Sequence, residues 1–304
     1  MLLVIAGHAM ELAGAHSLIL WIGSGFRMPL MLGISGYLLN ISRVRSSGLR
    51  DFLSRYGKRL LVPWGVAVII YAAVSGWHLS PSLFLELVLR PPFHLWYVPV
   101  LFFLICATWA LPFPPLLLLA LGTPFSLTIM YMFGLSHGPV FDGLWAPDSR
   151  FLRYPVYFFF GMLVAQNLLP RRYLASALLF ASLGTVWWAS LYGSGMELAY
   201  IPARLLMCLG LIGLLPIISA ARIEVQFLNA IGRNSLFFYL WHPLVMGLLI
   251  LADIGPVATL GLSILPLAVA SSLAARSGAA ALLLGISVLK KPLPPASSAP
   301  ALAA

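Results

Sequence analysis

Leu2-Leu3-Val4-Ile5-Ala6-Gly7-His8-Ala9-Met10 opens the chain as an apolar run with one imidazole at its centre. The run has the composition of a membrane helix, and a full charge at the middle of such a helix costs roughly 2.5–3.5 kcal/mol on insertion scales. An ionisable side chain kept there is therefore a functional-site hypothesis in its own right. The next stretch, Gly25-Phe26-Arg27-Met28-Pro29-Leu30 through Ile34-Ser35-Gly36-Tyr37, adds a cation and a helix-breaking proline to a second apolar run.

Of the 304 residues, 61% are hydrophobic and 9% charged. A soluble domain carries about 25% charged residues, so this chain cannot cover a water-facing surface. Apolar runs of about 20 residues fit spanning helices better than barrel strands. The segments fall near 1–20, 22–40, 58–77, 94–111, 115–134, 151–169, 173–192, 198–219, 235–252 and 256–275. The expected fold is all-α, a polytopic membrane bundle of about ten helices. Residues 1–275 form its one domain, and 276–304 an apolar extension with a disordered Pro/Ala/Ser-rich tail. The first helix begins inside its apolar run with no cations before it, which places a natural start upstream of Met1. Cys106 and Cys208 lie in apolar runs and read as buried thiols, not a disulfide. No basic region precedes the apolar start, so no cleavable signal is expected.

The net charge of +10 follows the positive-inside pattern, and no nucleic-acid partner is expected. Arg43, Arg45, Arg50, Arg55, Lys58 and Arg59 crowd one loop; Arg171, Arg172, Arg222, Arg233, Lys290 and Lys291 fall on the same, cytoplasmic, side. The other side keeps only Arg27, Arg90, Arg150 and Arg153 near segment ends, together with Glu11, Glu86, Asp142, Asp148, Glu197 and Asp253. No internal repeat is visible, which weighs against a transporter built from inverted halves.

His8 can serve as a general base, because imidazole exchanges protons near neutral pH; a structural hydrogen bond or a proton relay are its other readings. Arg55, Lys58 and Arg59 abut a helix mouth at i, i+3 and i, i+4 spacing. They suit the phosphates of a cytosolic ligand such as coenzyme A, or else attract anionic membrane lipids. His94-Leu95-Trp96-Tyr97 enters the fourth segment, where the aromatic rings fit an interfacial belt or the face of a sugar. Arg204, inside the eighth segment, needs a partner or a wet cavity, and Glu197 two turns earlier is the nearest carboxylate in sequence. Asn234 or Ser235 is placed to cap the ninth helix. His242 precedes Pro243 and taken alone is more often structural.

Taken together, these residues resemble acyltransferase family 3, integral membrane enzymes that O-acylate carbohydrates of the bacterial envelope. The resemblance rests on Gly7-His8, on Phe26-Arg27-Met28-Pro29-Leu30 with Ile34-Ser35-Gly36-Tyr37-Leu38-Leu39, and on Arg59-Leu60-Leu61-Val62-Pro63. His94-Leu95-Trp96-Tyr97, Gly232-Arg233-Asn234-Ser235-Leu236 and Tyr239-Leu240-Trp241-His242-Pro243 complete it, in order, over residues 1 to about 250. It implies a ten-helix fold in the bacterial cytoplasmic (inner) membrane. It also implies O-acetylation of an exported polysaccharide or other carbohydrate, or of a lipid-linked glycan acceptor. Acetyl-CoA or another acyl-CoA is the co-substrate, with no metal and no bound cofactor. His8 maps to the family histidine, and the family's basic pair maps most nearly to Arg55 and Arg59, spaced i, i+4 where i, i+3 (with Lys58) is usual. A further arginine of the pattern falls before Met1.

In this reading His8 deprotonates the acceptor, Arg27 or Arg204 steadies the oxyanion, and Arg55, Lys58 and Arg59 hold the donor. His94, Trp96, Tyr97 and His242 meet the acceptor, and polysaccharide synthesis or export proteins are possible partners. An acyl-His8 intermediate is the other chemical route. The competing class is a glycan or lipid transporter without acyl transfer, for which intramembrane His and Arg also suit.

Overall fold

The computed structural model describes residues 1–287 apart from 13, 15, 78–80, 144, 167–171 and 222–224. Arg171, Arg222, Lys290, Lys291 and the tail 288–304 therefore lie outside the described residues. The principal helices are α1 Leu2–Leu12, α2 Leu18–Tyr37, α3 Lys58–Val74, α4 Tyr97–Ala110, α5 Pro115–Phe133 and α6 Pro155–Ala165. They continue with α7 Arg172–Ser190, α8 Glu197–Gly213, α9 Ser235–Leu251, α10 Pro256–Ala274 and α11 Gly278–Leu284. Among the described residues the only β pairing is one bridge, Pro139 with Asp148. The protein is all-helical.

Among the described residues, five helical stretches are long and apolar enough to cross a membrane: Leu18–Tyr37, Leu49–Val74, Pro115–Phe133, Tyr173–Ser190 and Glu197–Ala220. Leu2–Glu11, Tyr97–Ala110, Ser235–Leu251 and Ala258–Ala274 are apolar but shorter. Leu117, Phe125, Leu178, Val186 and Leu265 face outward from the bundle. In water such exposure would drive aggregation; in lipid it is the solvent contact the chain needs. This is a membrane protein.

Small residues let the central helices touch. A Cβ on Gly36 would overlap the Phe158 carbonyl, and one on Gly161 the Gly33 carbonyl, so α2 and α6 meet backbone to backbone. That is how helices gain contact where lipid offers no hydrophobic contrast. Trp21 and Trp188 stack with ring centres 4.5 Å apart, and each indole N–H donates to the other's backbone carbonyl, at 2.8 and 3.0 Å. This pins α2 to α7 beside the site.

Several boundaries differ from those read in the sequence. The run 1–20 is not one helix: α1 ends at Leu12, and α2 starts at Leu18, where the Ser17 side chain accepts from Leu20 N at 3.2 Å. That cap decides the boundary, since it satisfies an amide that the first turn leaves unpaired. The fourth segment becomes helical at Tyr97, after a turn in which Phe93 adopts φ 50°. Asn234 occupies the cap position of α9 without capping it; its Oδ1 accepts from Ser287 N at 3.2 Å instead. Residues 276–289 contain α11, whose Ser277 side chain accepts from Ala280 N and whose end, Gly285, lies against Pro63 of α3. Cys106 and Cys208 are free thiols.

Candidate active site

Pro29 lacks an N–H, so the Gly25 carbonyl one turn earlier has no helical donor. Arg204 of α8 fills the gap, its Nε donating to Gly25 O at 2.7 Å. The approach is possible because Gly25 has no side chain: a Cβ there would collide with Trp188 and Met207. The same logic recurs at Pro99, whose missing N–H leaves the Leu95 carbonyl to Trp64 Nε1 at 3.0 Å. Prolines that look like helix breakers thus create sockets for side chains of neighbouring helices.

Arg27 follows Gly25 by two residues and points back to α1. Its guanidinium lies where a Cβ of Gly7 would be, and it forms an ion pair with Glu11. The second oxygen of Glu11 stands 3.1 Å from His8 Nδ1. A carboxylate only accepts, so Nδ1 carries the proton and Nε2 keeps a lone pair in the neutral ring. Arg27, Glu11 and His8 form one chain of contacts, and the His8 side chain stays 30% exposed at its end.

Two more imidazoles approach His8, with ring centres at 6.3 Å for His94 and 5.2 Å for His242. Both are buried and tied to α9. His94 Nε2 lies 3.3 Å from Leu240 O, Tyr239 donates its hydroxyl to His94 O, and His242 Nδ1 lies 2.8 Å from Phe238 O. Carbonyls accept, so each ring spends its proton on backbone. His242 Nε2 is buried with no hydrogen-bond partner.

These groups border a cavity of about 510 Å³ near the start of α2, lined by His8, Glu11, Arg27, His94, Trp96 and Arg204 among others. Arg150, Arg153, His137 and Tyr154 complete its polar wall. Trp96 stacks on Tyr154 at 4.9 Å and carries the Arg150 guanidinium over its face at 5.3 Å. Burial foremost, and then the nearby Arg150, hold the His137 pKa below the usual imidazole value.

The basic residues gather at the opposite end. Phe52, sandwiched against Trp109 at 5.1 Å, anchors a π-helical turn, Leu53–Gly57, that runs into α3. Such wide turns recur at functional sites. Arg55 and Arg59 line a second cavity of about 350 Å³ together with Arg43, Ser35, Tyr97 and Tyr239. Lys58 faces a neighbouring groove that it shares with Arg55, Arg59 and Ser287. Ser35 and Tyr97 join their hydroxyls at 2.7 Å, and the Tyr97 and Tyr239 rings lie 5.0 Å apart. Tyr239 borders both cavities.

With this geometry in hand, the family comparison is decisive: the model described as "Acyltransferase domain" matches residues 1–277. The chain belongs to the acyltransferase 3 family. No curated protein and no solved structure matches it. The acyltransferase brings His8, Arg27, Arg204, His94 and Trp96 to one cavity, while Tyr97 turns to the other and His242 sits behind His8 and His94. Arg204 does not pair with Glu197, which is exposed; the freed Gly25 carbonyl is nearer and is its partner. Glu11, Arg150, Arg153 and His137 also line the cavity, and no sequence motif singles them out. The i, i+3 spacing of His8 and Glu11 on one helix was the available signal for the first; the others are joined to the site only by tertiary folding.

Proposed function

We propose that this membrane acyltransferase moves an acetyl or other short acyl group from acyl-CoA to a hydroxyl of a cell-envelope or exported carbohydrate, with His8 as the general base. The observation that carries the reading is the pair of cavities back to back: an imidazole held by Glu11 opens into one, arginines into the other, and Tyr239 is their common wall. In this reading the chain spans the bacterial inner membrane with about ten helices and turns Arg43, Arg55, Lys58 and Arg59 to the cytosol, and the donor's phosphates bind at the second cavity. The thioester end then reaches past Tyr97 toward His8, and the acceptor enters the first cavity, where Trp96 and His94 meet it.

His8 Nε2 takes the hydroxyl proton as the oxygen attacks the thioester carbonyl, and the Nδ1 proton stays with Glu11, which stabilises the imidazolium that forms. Arg204, or Arg27 beside it, faces the developing oxyanion. Collapse of the tetrahedral intermediate expels the coenzyme A thiolate, which recovers the proton from His8. Release of free coenzyme A from acetyl-CoA by the purified protein, with a membrane extract as acceptor, tests this. His8→Ala is expected to lower the rate by roughly 10²–10⁴. Undiminished release in that variant, at normal expression, would overturn the assignment. Absence of release together with absence of acetyl-CoA binding would favour a transporter.

A further inference from the structure

The polar cavity holds more positive charge than the protein itself balances. Four of its lining residues are arginines: Arg27, Arg150, Arg153 and Arg204. Two have carboxylates. Arg27 pairs with Glu11, and Arg150 meets Asp148 in a fork, with Nε and Nη2 each 2.8 Å from a separate oxygen. Arg153, 2% exposed, and Arg204, 9% exposed, have no carboxylate within ion-pair distance among the described residues. Their partners are uncharged: the Leu135 and Ser136 carbonyls for Arg153, and the Gly25 carbonyl with the Tyr154 side chain for Arg204. Carbonyl dipoles orient a guanidinium without neutralising it. Arg153 Nε is buried with no partner at all.

Burying a cation without its counter-charge is costly, and a folded protein keeps such a group where a ligand supplies the missing charge. A guanidinium fork matches the two oxygens of a carboxylate or phosphate. We infer that Arg153 and Arg204 form an anion subsite for the acceptor, which leaves Arg27 to the oxyanion, so that this acyltransferase selects a hydroxylated sugar bearing a phosphate or carboxylate. The subsite shares its cavity with His8, Trp96 and Tyr154, so the anionic group and the reacting hydroxyl belong to one molecule, whose ring meets the aromatic faces. The inference rests on the proposed function for the word acceptor, but the anion site itself does not.

The test is calorimetric titration of the purified full chain with galactose 1-phosphate, galacturonate and galactose. At least one anionic sugar is expected to bind about tenfold or more tighter than galactose, the preference shrinking as salt rises. Preference for the phosphate points to phosphate-linked acceptors, and preference for the uronate to acidic glycans. Arg153→Gln and Arg204→Gln are each expected to remove most of the preference, and Arg55→Gln to leave it. Equal binding of all three sugars by the unsubstituted protein overturns the inference and needs no variant to fold. So does displacement of the anionic sugar by coenzyme A, which would place the anion among the basic residues at the other end. Anion preference without coenzyme A release would leave the subsite and remove acyl transfer, whereas release indifferent to acceptor charge would do the reverse.

Discussion

Glu11 sits in the opening helix as the least expected residue of the site and the one on which His8 depends. It holds Nδ1 of His8 on one oxygen and the Arg27 guanidinium on the other. Glu11→Gln keeps an acceptor for Nδ1–H but removes the charge that, in the proposed mechanism, would stabilise an imidazolium at His8. The expected result is a fall in kcat of at least about tenfold with KM for acetyl-CoA little changed, read from initial rates of coenzyme A release. Gly7 is held to its identity by Arg27, whose guanidinium occupies the space a methyl group would take. Gly7→Ala is therefore expected to displace Arg27 and lower activity to a similar degree while the melting temperature in detergent stays near that of the parent. A large loss of thermal stability instead would assign Gly7 to packing.

Helix α2 carries the site because of what it leaves out. Its proline and glycines are absences, of an N–H at Pro29 and of side chains at Gly25, Gly33 and Gly36, and each absence is filled by a neighbour. Arg204 takes the Gly25 carbonyl, Trp188 and Met207 fill the space beside Gly25, Ile212 of α8 that at Gly33, and α6 that at Gly36. Gly161→Ala would drive a methyl group into the Gly33 carbonyl and is expected to cost about 1–3 kcal/mol, as overpacking does. The measurement is a lowered midpoint of thermal unfolding in detergent, with Gly65→Ala, which meets open space, as the comparison. The π turn at Leu53–Gly57 is the second such device. It sets the phase between Arg55 and Arg59, which lie i, i+4 in sequence and line the same cavity.

Across the whole bundle, two cavities share the Tyr239 ring. Its hydroxyl is held by the His94 carbonyl and its face by Tyr97. If this wall keeps water from the thioester until an acceptor arrives, removing it uncouples the reaction. Tyr239→Ala is expected to raise coenzyme A release in the absence of any acceptor, relative to release with acceptor present. A variant that loses both in proportion would show that the ring serves folding alone.

Much of this protein is legible in its sequence, for a physical reason. Lipid imposes one rule along the whole chain, that an exposed helix be apolar and its backbone paired within itself. Composition therefore announces helices in a membrane, and an ionisable residue such as His8 stands out against that background. Short motifs around Arg27, Pro63, His94 and His242 pointed to the family for a related reason: each lies at a socket or a cavity wall where few residue types fit. Boundaries were less legible. Ser17 could end the run 1–20 because one side-chain hydrogen bond competes with continued helix, and apolarity is blind to that. Who partners whom was beyond the sequence altogether. Arg204 has Glu197 two turns away and takes Gly25, more than a hundred residues off in sequence, because Pro29 left that carbonyl open. The sequence determined a bundle of membrane helices with His8 inside it. Only the tertiary structure joined Arg27 to Glu11, parted Tyr97 from Trp96, and set Arg153 beside the cavity with its charge unmatched, because those relations depend on which helix faces which.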